Sequence, residues 1–183
     1  ERIAHGELQR YDVGRFGDHY FSYVAAFGAF SWLSYTTDQN LKNVLGHTAY
    51  LLDGIKDLPK VRPLHMKVTA DGQCFEDDFI FGAVANSTSI AGTIQLPESW
   101  VDTSDGLFEL LLIRNPKTLA EFTETVQAIL TQDFQTNQIV FARAADIVCE
   151  SPEMLEWTVD GEFPGIFDRV HITPMRGFLQ LMS

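Results

Sequence analysis

Two carboxylates separated by one glycine, those of Asp160 and Glu162, form the part of the sequence best suited to chemistry. They follow residues 155–159, in which apolar and polar side chains alternate as in a strand with one buried face. The glycine lets a ligand approach the main chain closely, and such a pair can bind Mg²⁺, orient a water or accept a proton from an attacking hydroxyl. A solvated hairpin tip is the alternative, and the spacing alone leaves both interpretations open.

A second acidic motif occurs where Asp102 and Asp105 bracket a turn. Free main-chain carbonyls of such a turn can join a carboxylate around a hard cation, because hard cations prefer oxygen ligands. A capped loop without a metal is the alternative here. Two further Asp-Gly pairs, at Asp53 and Asp71, are interpreted as plain turns.

The elements that must position these acids are mostly predicted strands, because β-branched and aromatic residues cluster in short runs between turn residues. The Asp71-Gly72 pair predicts a hairpin, and a second hairpin is predicted around Gly17. The predicted strands cover residues 9–14, 19–27, 65–70, 74–86, 106–113, 138–149, 155–159, 170–173 and 177–181.

Two stretches have helical periodicity instead. Residues 38–58 carry an apolar stripe typical of helices. Thr118 and Glu121 have the spacing of a capping box, and the apolar face that follows predicts a helix ending at residues 132–133. The prediction is a mainly β fold with helical excursions, a β-sandwich decorated by helices, in a single domain that covers residues 1–183.

The composition excludes some classes of function. Hydrophobic residues make up 45% of the 183 residues, which is enough to bury a core. Thirteen Lys and Arg residues against 25 Asp and Glu residues give a net charge of −12, which repels phosphate backbones and argues against nucleic-acid binding. The apolar runs are far shorter than the ~20 residues of a membrane span, and no signal peptide is recognisable, so a cytoplasmic protein is expected. The first residue is Glu1 rather than Met, which suggests a piece of a longer protein.

Four short motifs occur in order along the chain. They are Tyr-Asp-Val-Gly at residues 11–14 with the aromatic run 20–28, Leu-Gly-His-Thr-Ala-Tyr-Leu-Leu at residues 45–52, Asp105-Gly106-Leu107, and Asp160-Gly161-Glu162. Over nearly the whole chain these motifs resemble the C-terminal half of the diacylglycerol kinase-like lipid kinases, the bacterial group related to sphingosine and ceramide kinases. The last motif matches the "DGE" signature of that family.

The resemblance implies the β-sandwich C-terminal domain of the NAD kinase/diacylglycerol kinase-like fold, and transfer of the γ-phosphate of ATP to a lipid hydroxyl such as that of diacylglycerol. It assigns Glu162 as the proton acceptor, with Asp160 as a neighbour that takes part. It also assigns a structural Mg²⁺ to Asp105 and the main-chain carbonyls of Asp102 and Leu107.

The resemblance also implies that an N-terminal nucleotide-binding domain of the same chain holds most of the ATP, because its "GGDGT" phosphate loop does not occur in these residues. The 183 residues alone are therefore expected to be inactive. The other expected partners are a lipid substrate at the inner face of the membrane and a second copy in a homodimer.

Two alternatives to a lipid kinase are considered. One is an NAD kinase-like enzyme domain, since that family also joins a phosphate-loop domain to a strand-rich one. The other is a non-catalytic β-sandwich that binds a small apolar ligand or a partner chain. The helical stripe at residues 38–58 and the late "DGE" motif favour the lipid kinase over the NAD kinase.

Overall fold

A computed structural model describes residues 8–28, 62–90, 92 and 94–182. The predicted helical stripe at residues 38–58, the motif at residues 45–52 and the turn at Asp53 lie outside the described residues. The described elements are β1 (Leu8–Phe16), β2 (His19–Phe21), β3 (Val24–Gly28), β4 (Leu64–Ala70), β5 (Gln73–Ala85), β6 (Ser89–Ile90), β7 (Ile94–Gln95), a 3₁₀ turn (Glu98–Trp100), β8 (Phe108–Arg114), α1 (Leu119–Thr131), β9 (Ile139–Ala144), β10 (Ile147–Val159) and β11 (Glu162–Met182).

Nine of these strands form one sheet in the order β2-β1-β11-β10-β3-β5-β8-β9, with β4 paired to both β10 and β5. The two long strands β5 and β10, of 13 residues each, share two antiparallel partners. Strand β4 pairs with one end of each, and β3 pairs with the other end. The four strands therefore close into a ring, and all four contribute to the inner core, with Phe27, Val68, Phe79 and Trp157 among its residues.

Strand β8 and the second half of β5, residues 79–85, are buried on both faces, which explains their nearly continuous apolar sequences. One face of β8 contributes Phe108 and Leu110 to the inner core, where Trp157 also lies. The other face contributes Leu111 to an outer core that is covered by the apolar side of α1, including Val126.

Helix α1 has the predicted capping box. The hydroxyl of Thr118 accepts a hydrogen bond from the main-chain N of Glu121 at 3.2 Å, and the carboxylate of Glu121 accepts one from the main-chain N of Thr118 at 3.2 Å. The helix ends at Gln132, which has the left-handed conformation at φ 56°. No helix in the described part of the chain is long and apolar enough to cross a membrane.

The mainly β prediction is confirmed, and so is the hairpin at Asp71, where Ala70 pairs with Gln73. Three predicted boundaries were wrong. Residues 19–27 form two strands, residues 138–149 are divided between β9 and β10, and the last two predicted strands belong to the single strand β11. The division of residues 138–149 occurs where the carboxylate of Asp71 binds the main-chain N–H groups of Ala145 and Asp146, and so holds the chain out of the strand ladder.

Replacing Thr118 with alanine is expected to lower the free energy of unfolding by about 1 kcal/mol, because a first-turn N–H group loses its acceptor. Urea denaturation measures this loss. Thr123→Ala is the matched control, since the Thr123 hydroxyl only donates to the carbonyl of Leu119 within the same helix. That control is expected to change stability by no more than about 0.5 kcal/mol. Equal losses in the two variants would contradict the capping role.

Candidate functional site

The first acidic motif forms the turn between β10 and β11. Val159 and Glu162 are paired across this turn, so Asp160 and Gly161 are its two central residues. Both have positive φ angles, 48° and 88°, as a type I′ hairpin turn requires and as Asp-Gly sequences allow. The turn fixes the position at which Glu162 begins β11.

The carboxylate of Asp160 binds the chain segment that leads from β2 into β3. Its Oδ2 accepts hydrogen bonds from the main-chain N of Ser22 at 2.7 Å and from the Ser22 hydroxyl at 3.1 Å. Its Oδ1 accepts from the main-chain N of Tyr23 at 3.0 Å and of Val24 at 2.8 Å. Four donors use about all the acceptor capacity of a carboxylate, so Asp160 anchors the turn to β3. Its participation in catalysis stays a prediction.

The side chain of Glu162 is exposed to solvent. Among the residues that the structure describes, none forms a hydrogen bond or an ion pair with its carboxylate. The next residue of the strand, Phe163, is 67% exposed, so an apolar side chain is also exposed near the turn. An exposed and unpaired carboxylate can accept a proton from a hydroxyl that approaches from solvent, although its role as proton acceptor stays a prediction.

A surface pocket of about 400 Å³ lies beside the edge strand β9, away from both acidic motifs. Its lining includes the aromatic rings of Trp100, Phe134 and Phe141 and the side chain of Arg114. None of the five predicted site residues lines it. This pocket therefore does not mark the predicted catalytic site.

The second acidic motif forms the loop before β8. Asp105 Oδ1 accepts a hydrogen bond from the main-chain N of Leu107 at 2.9 Å, and its Oδ2 forms an ion pair with Arg143. Asp102 Oδ1 accepts from the main-chain N of Ser104 at 3.0 Å and from its hydroxyl at 2.8 Å, and these bonds lower the pKa of Asp102. Both carboxylates thus bind groups of the loop itself, and Asp105 also ties it to β9.

The oxygen atoms of this loop are of the kind that a hard cation prefers. Across residues 8–28, 62–90, 92 and 94–182 there is no group of three or more His, Cys, Asp or Glu side chains that could hold a metal ion. A cation at Asp105 would therefore take its other ligands from main-chain carbonyls and water, and would replace Arg143 at Oδ2. The predicted ligands Asp105, Asp102 and Leu107 do share one loop, and metal binding by them stays a prediction.

Glu109 is a buried carboxylate that sequence reasoning missed. Its side chain is 0% exposed, and Arg143 Nε lies 3.4 Å from its Oε1. Neither carboxylate oxygen accepts a hydrogen bond from the described residues. Burial raises the pKa of Glu109 to about 7, and the charge of Arg143 opposes this rise. In the sequence, Glu109 stands out only as a single acid within the apolar run that forms β8.

Asp12 is a second buried carboxylate that was missed, with 1% of the residue exposed. In the sequence Asp12 appears only within the Tyr-Asp-Val-Gly motif at residues 11–14. An isolated aspartate in a strand does not indicate which distant loop its side chain will meet.

A continuous path of hydrogen bonds joins the two acidic motifs. From the carboxylate of Asp160 it passes to the main-chain N of Tyr23 at 3.0 Å, and from the Tyr23 carbonyl to the main-chain N of Asn86 at 2.9 Å. Asn86 Nδ2 donates to the carbonyl of Asp12 at 2.9 Å, and Asp12 Oδ2 accepts from the main-chain N of Gly106 at 2.6 Å. The residues that the sequence singled out separately therefore belong to one network.

Comparison with known proteins identifies the family to which the chain belongs. A family model described as the YegS C-terminal NAD kinase beta sandwich-like domain matches residues 29–181. Diacylglycerol kinases of Bacillus subtilis and Staphylococcus carnosus are each 28% identical to the chain, over 168 and 165 residues. These alignments cover 91% and 89% of this chain but only 54% and 53% of the relatives. The chain thus spans about half the length of the curated relatives it matches.

Solved structures show the same fold. The crystal structure of a diacylglycerol kinase from Bacillus anthracis matches with a TM-score of 0.64 at 19% identity, covering 97% of this chain and 54% of that one. The predicted β-sandwich is confirmed by this match together with the family model.

Replacing Asp160 with alanine is expected to lower the free energy of unfolding by about 2 kcal/mol, because three main-chain N–H groups lose a charged acceptor and alanine is strained at positive φ. Asp160→Asn keeps a residue that tolerates this φ and is expected to lose about half as much. Glu162→Ala, which removes an exposed and unpaired side chain, is the control and is expected to stay within about 0.5 kcal/mol of the wild type. Urea denaturation that gives the same loss for Asp160→Ala and Glu162→Ala would show that Asp160 does not anchor the turn.

The raised pKa of Glu109 predicts a pH dependence of stability. The folded chain binds the Glu109 proton more tightly than the unfolded chain, in which a glutamate titrates near 4.5. The free energy of unfolding should therefore fall as pH rises from about 4.5 to about 7, by on the order of 1–3 kcal/mol. Glu109→Gln carries no titrating proton and should remove this decline.

Urea denaturation between pH 4.5 and 7.5, in the presence of EDTA, measures the effect. The matched control is Glu156→Gln, which changes an exposed glutamate of β10 and should keep the wild-type slope. A Glu109→Gln variant with an unaltered slope would contradict the assignment.

Proposed function

Because the chain belongs to the family of YegS C-terminal NAD kinase beta sandwich-like domains, we propose that it is the substrate-side half of a lipid kinase. The membership confirms the resemblance drawn from the four motifs. In the proposed reaction the γ-phosphate of ATP is transferred to the hydroxyl of a lipid such as diacylglycerol. The names of the relatives from Bacillus subtilis and Staphylococcus carnosus support this choice of substrate.

The proposal depends above all on the position of Glu162. Its carboxylate is exposed and without a partner in the described residues, yet the adjoining turn is held rigidly by the four hydrogen bonds of Asp160. Transfer of a phosphoryl group needs accurate placement of the hydroxyl and an acceptor for its proton. In this mechanism Glu162 accepts that proton, and Asp160 acts by fixing where Glu162 stands.

The start of β11 exposes apolar side chains that an amphiphilic alcohol can contact. Phe163 is 67% exposed and Ile166 is 49% exposed, and both lie near the start of β11. Exposed apolar side chains on the same strand as a proton acceptor can contact the acyl part of a lipid while its hydroxyl meets the acid. We propose accordingly that the enzyme works in the cytoplasm, at the inner face of the membrane.

Asp105 and the carbonyls of Asp102 and Leu107 are the residues that would hold Mg²⁺. When bound, the ion would neutralise the carboxylate in place of Arg143 and stabilise the loop. Most contacts to ATP are assigned to a nucleotide-binding domain outside these 183 residues, which fits the partial coverage of the relatives. The 183 residues alone are therefore proposed to be inactive.

Glu162→Gln in the full-length protein is expected to reduce kcat for the phosphorylation of diacylglycerol by about 10²- to 10⁴-fold, because glutamine keeps the shape of the side chain but cannot accept a proton. The KM for ATP should stay within about two-fold of the wild type, since Glu162 is not assigned to nucleotide binding. Radiolabel transfer from ATP to diacylglycerol in mixed micelles measures both constants.

The control for this variant is Glu156→Gln, which neutralises an exposed glutamate on the neighbouring strand β10 and should keep the wild-type kcat. If Glu162→Gln keeps the wild-type kcat, Glu162 is not the proton acceptor. Absence of transfer by the wild-type protein to any lipid alcohol would remove the proposed function itself.

A further inference from the structure

Asp12 lies at an irregularity of the sheet. The pairing of β1 with β11 shifts between Tyr11 and Val13, whose partners on β11 are Leu179 and Met175. The two strands therefore bulge at Asp12, and its side chain is directed into the protein instead of continuing the ladder. Only 1% of the residue is exposed.

The carboxylate of Asp12 binds two main-chain N–H groups from different segments. Oδ2 accepts from Gly106 at 2.6 Å, and Oδ1 accepts from Gly177 in the bulge of β11 at 2.6 Å. Both glycines have positive φ angles, 78° and 58°. Hydrogen bonds from N–H groups to a buried carboxylate are short and strong, so Asp12 fixes Gly106 relative to β11.

The main chain of Asp12 binds the other side of the same loop. Its N–H donates to the carbonyl of Thr103 at 2.8 Å, and Asn86 Nδ2 bridges the carbonyls of Asp12 and Thr103 at 2.9 and 3.4 Å. A Cβ atom at Gly106 would lie 2.1 Å from Arg176 Nε, so the loop is also closely packed. Asp12 therefore contacts the loop on both sides of Asp105.

We propose that Asp12 is the positioning residue of the Asp102–Leu107 loop, and that it sets the direction of the Asp105 carboxylate and of the carbonyls beside it. The proposal rests on the assignment of this loop as the Mg²⁺ site. Among the described residues Asp12 has no ion-pair partner, so its charge is balanced by the N–H groups of Gly106 and Gly177. The same negative charge favours a cation in the adjoining loop.

Asp12→Asn tests the proposal with little change of shape. An amide can accept only one of the two N–H groups and presents its own N–H₂ to the other. The affinity of the chain for Mg²⁺ is expected to fall about ten-fold or more, as is usual when a partner of a metal ligand is changed. Protection of the Gly106 amide from hydrogen exchange should fall by a similar factor.

Both quantities are measured by ¹H–¹⁵N NMR of the chain, during a titration with MgCl₂ and during exchange into D₂O. The matched control is Asp77→Asn, because the carboxylate of Asp77 also accepts two N–H groups, those of the Asp78 main chain and of Arg114 Nε, but at the end of β8 opposite to the loop. The control should keep the wild-type Mg²⁺ affinity and the wild-type protection of Gly106.

The outcomes separate this proposal from the assignment of the metal. Unchanged Mg²⁺ affinity in Asp12→Asn would overturn the positioning role, even if protection of Gly106 fell. If the wild-type chain does not respond to Mg²⁺, the assignment of the metal site is wrong. Protection of the Gly106 amide in Asp12→Asn then decides whether Asp12 positions the loop. If Asp12→Asn does not fold, Asn86→Ser replaces it, since that change removes the side-chain amide that bridges the carbonyls of Asp12 and Thr103. A several-fold weaker Mg²⁺ affinity supports the proposal, and wild-type affinity overturns it.

Discussion

Main-chain N–H groups that lie outside the strand ladders must find acceptors, and aspartate carboxylates supply them at several junctions of this domain. Asp160 binds three such groups before β3, Asp71 binds two between β9 and β10, and Asp12 binds one in a loop and one in a bulge. A buried N–H group without an acceptor costs about as much as a lost hydrogen bond. These carboxylates therefore hold the chain at junctions where strand pairing supplies no acceptor. Part of the acidic composition thus has a structural role.

The closed ring of strands explains why residues distant in sequence share one network. Strands β5 and β10 both pair with β3 at their C-terminal ends, so Asn86 and Asp160 meet at the segment that leads into β3. The path from Asp160 through Tyr23, Asn86 and Asp12 to Gly106 crosses five separate segments of the chain. Every donor along this path is a main-chain N–H or the amide of Asn86, and the acceptors are main-chain carbonyls and two carboxylates, so the two acidic motifs are held in one frame.

The environment separates acids that look equivalent in the sequence. Asp160 and Glu162 flank the same glycine, but Asp160 has four donors and Glu162 has none among the described residues. Asp105 and Glu109 both contact Arg143, but burial raises the pKa of Glu109 to about 7. A carboxylate saturated with donors fixes geometry, whereas an exposed and unpaired one is able to exchange a proton.

The sequence by itself determined the local structure, since turns, caps and strand periodicity depend on residues close to one another. It predicted the hairpins at Asp71 and around Gly17, the capping box at Thr118 and the mainly β character, all of which the structure contains. Its motifs also identified the family.

Tertiary structure alone decided which carboxylates are buried, which are saturated and which remain free, because the partners of Asp12, Glu109 and Asp160 come from segments far along the chain. Asp12 meets Gly106 and Gly177 only after β1, β8 and β11 have assembled. The order of residues encodes contacts between neighbours, and contacts between distant segments exist only once the sheet has closed.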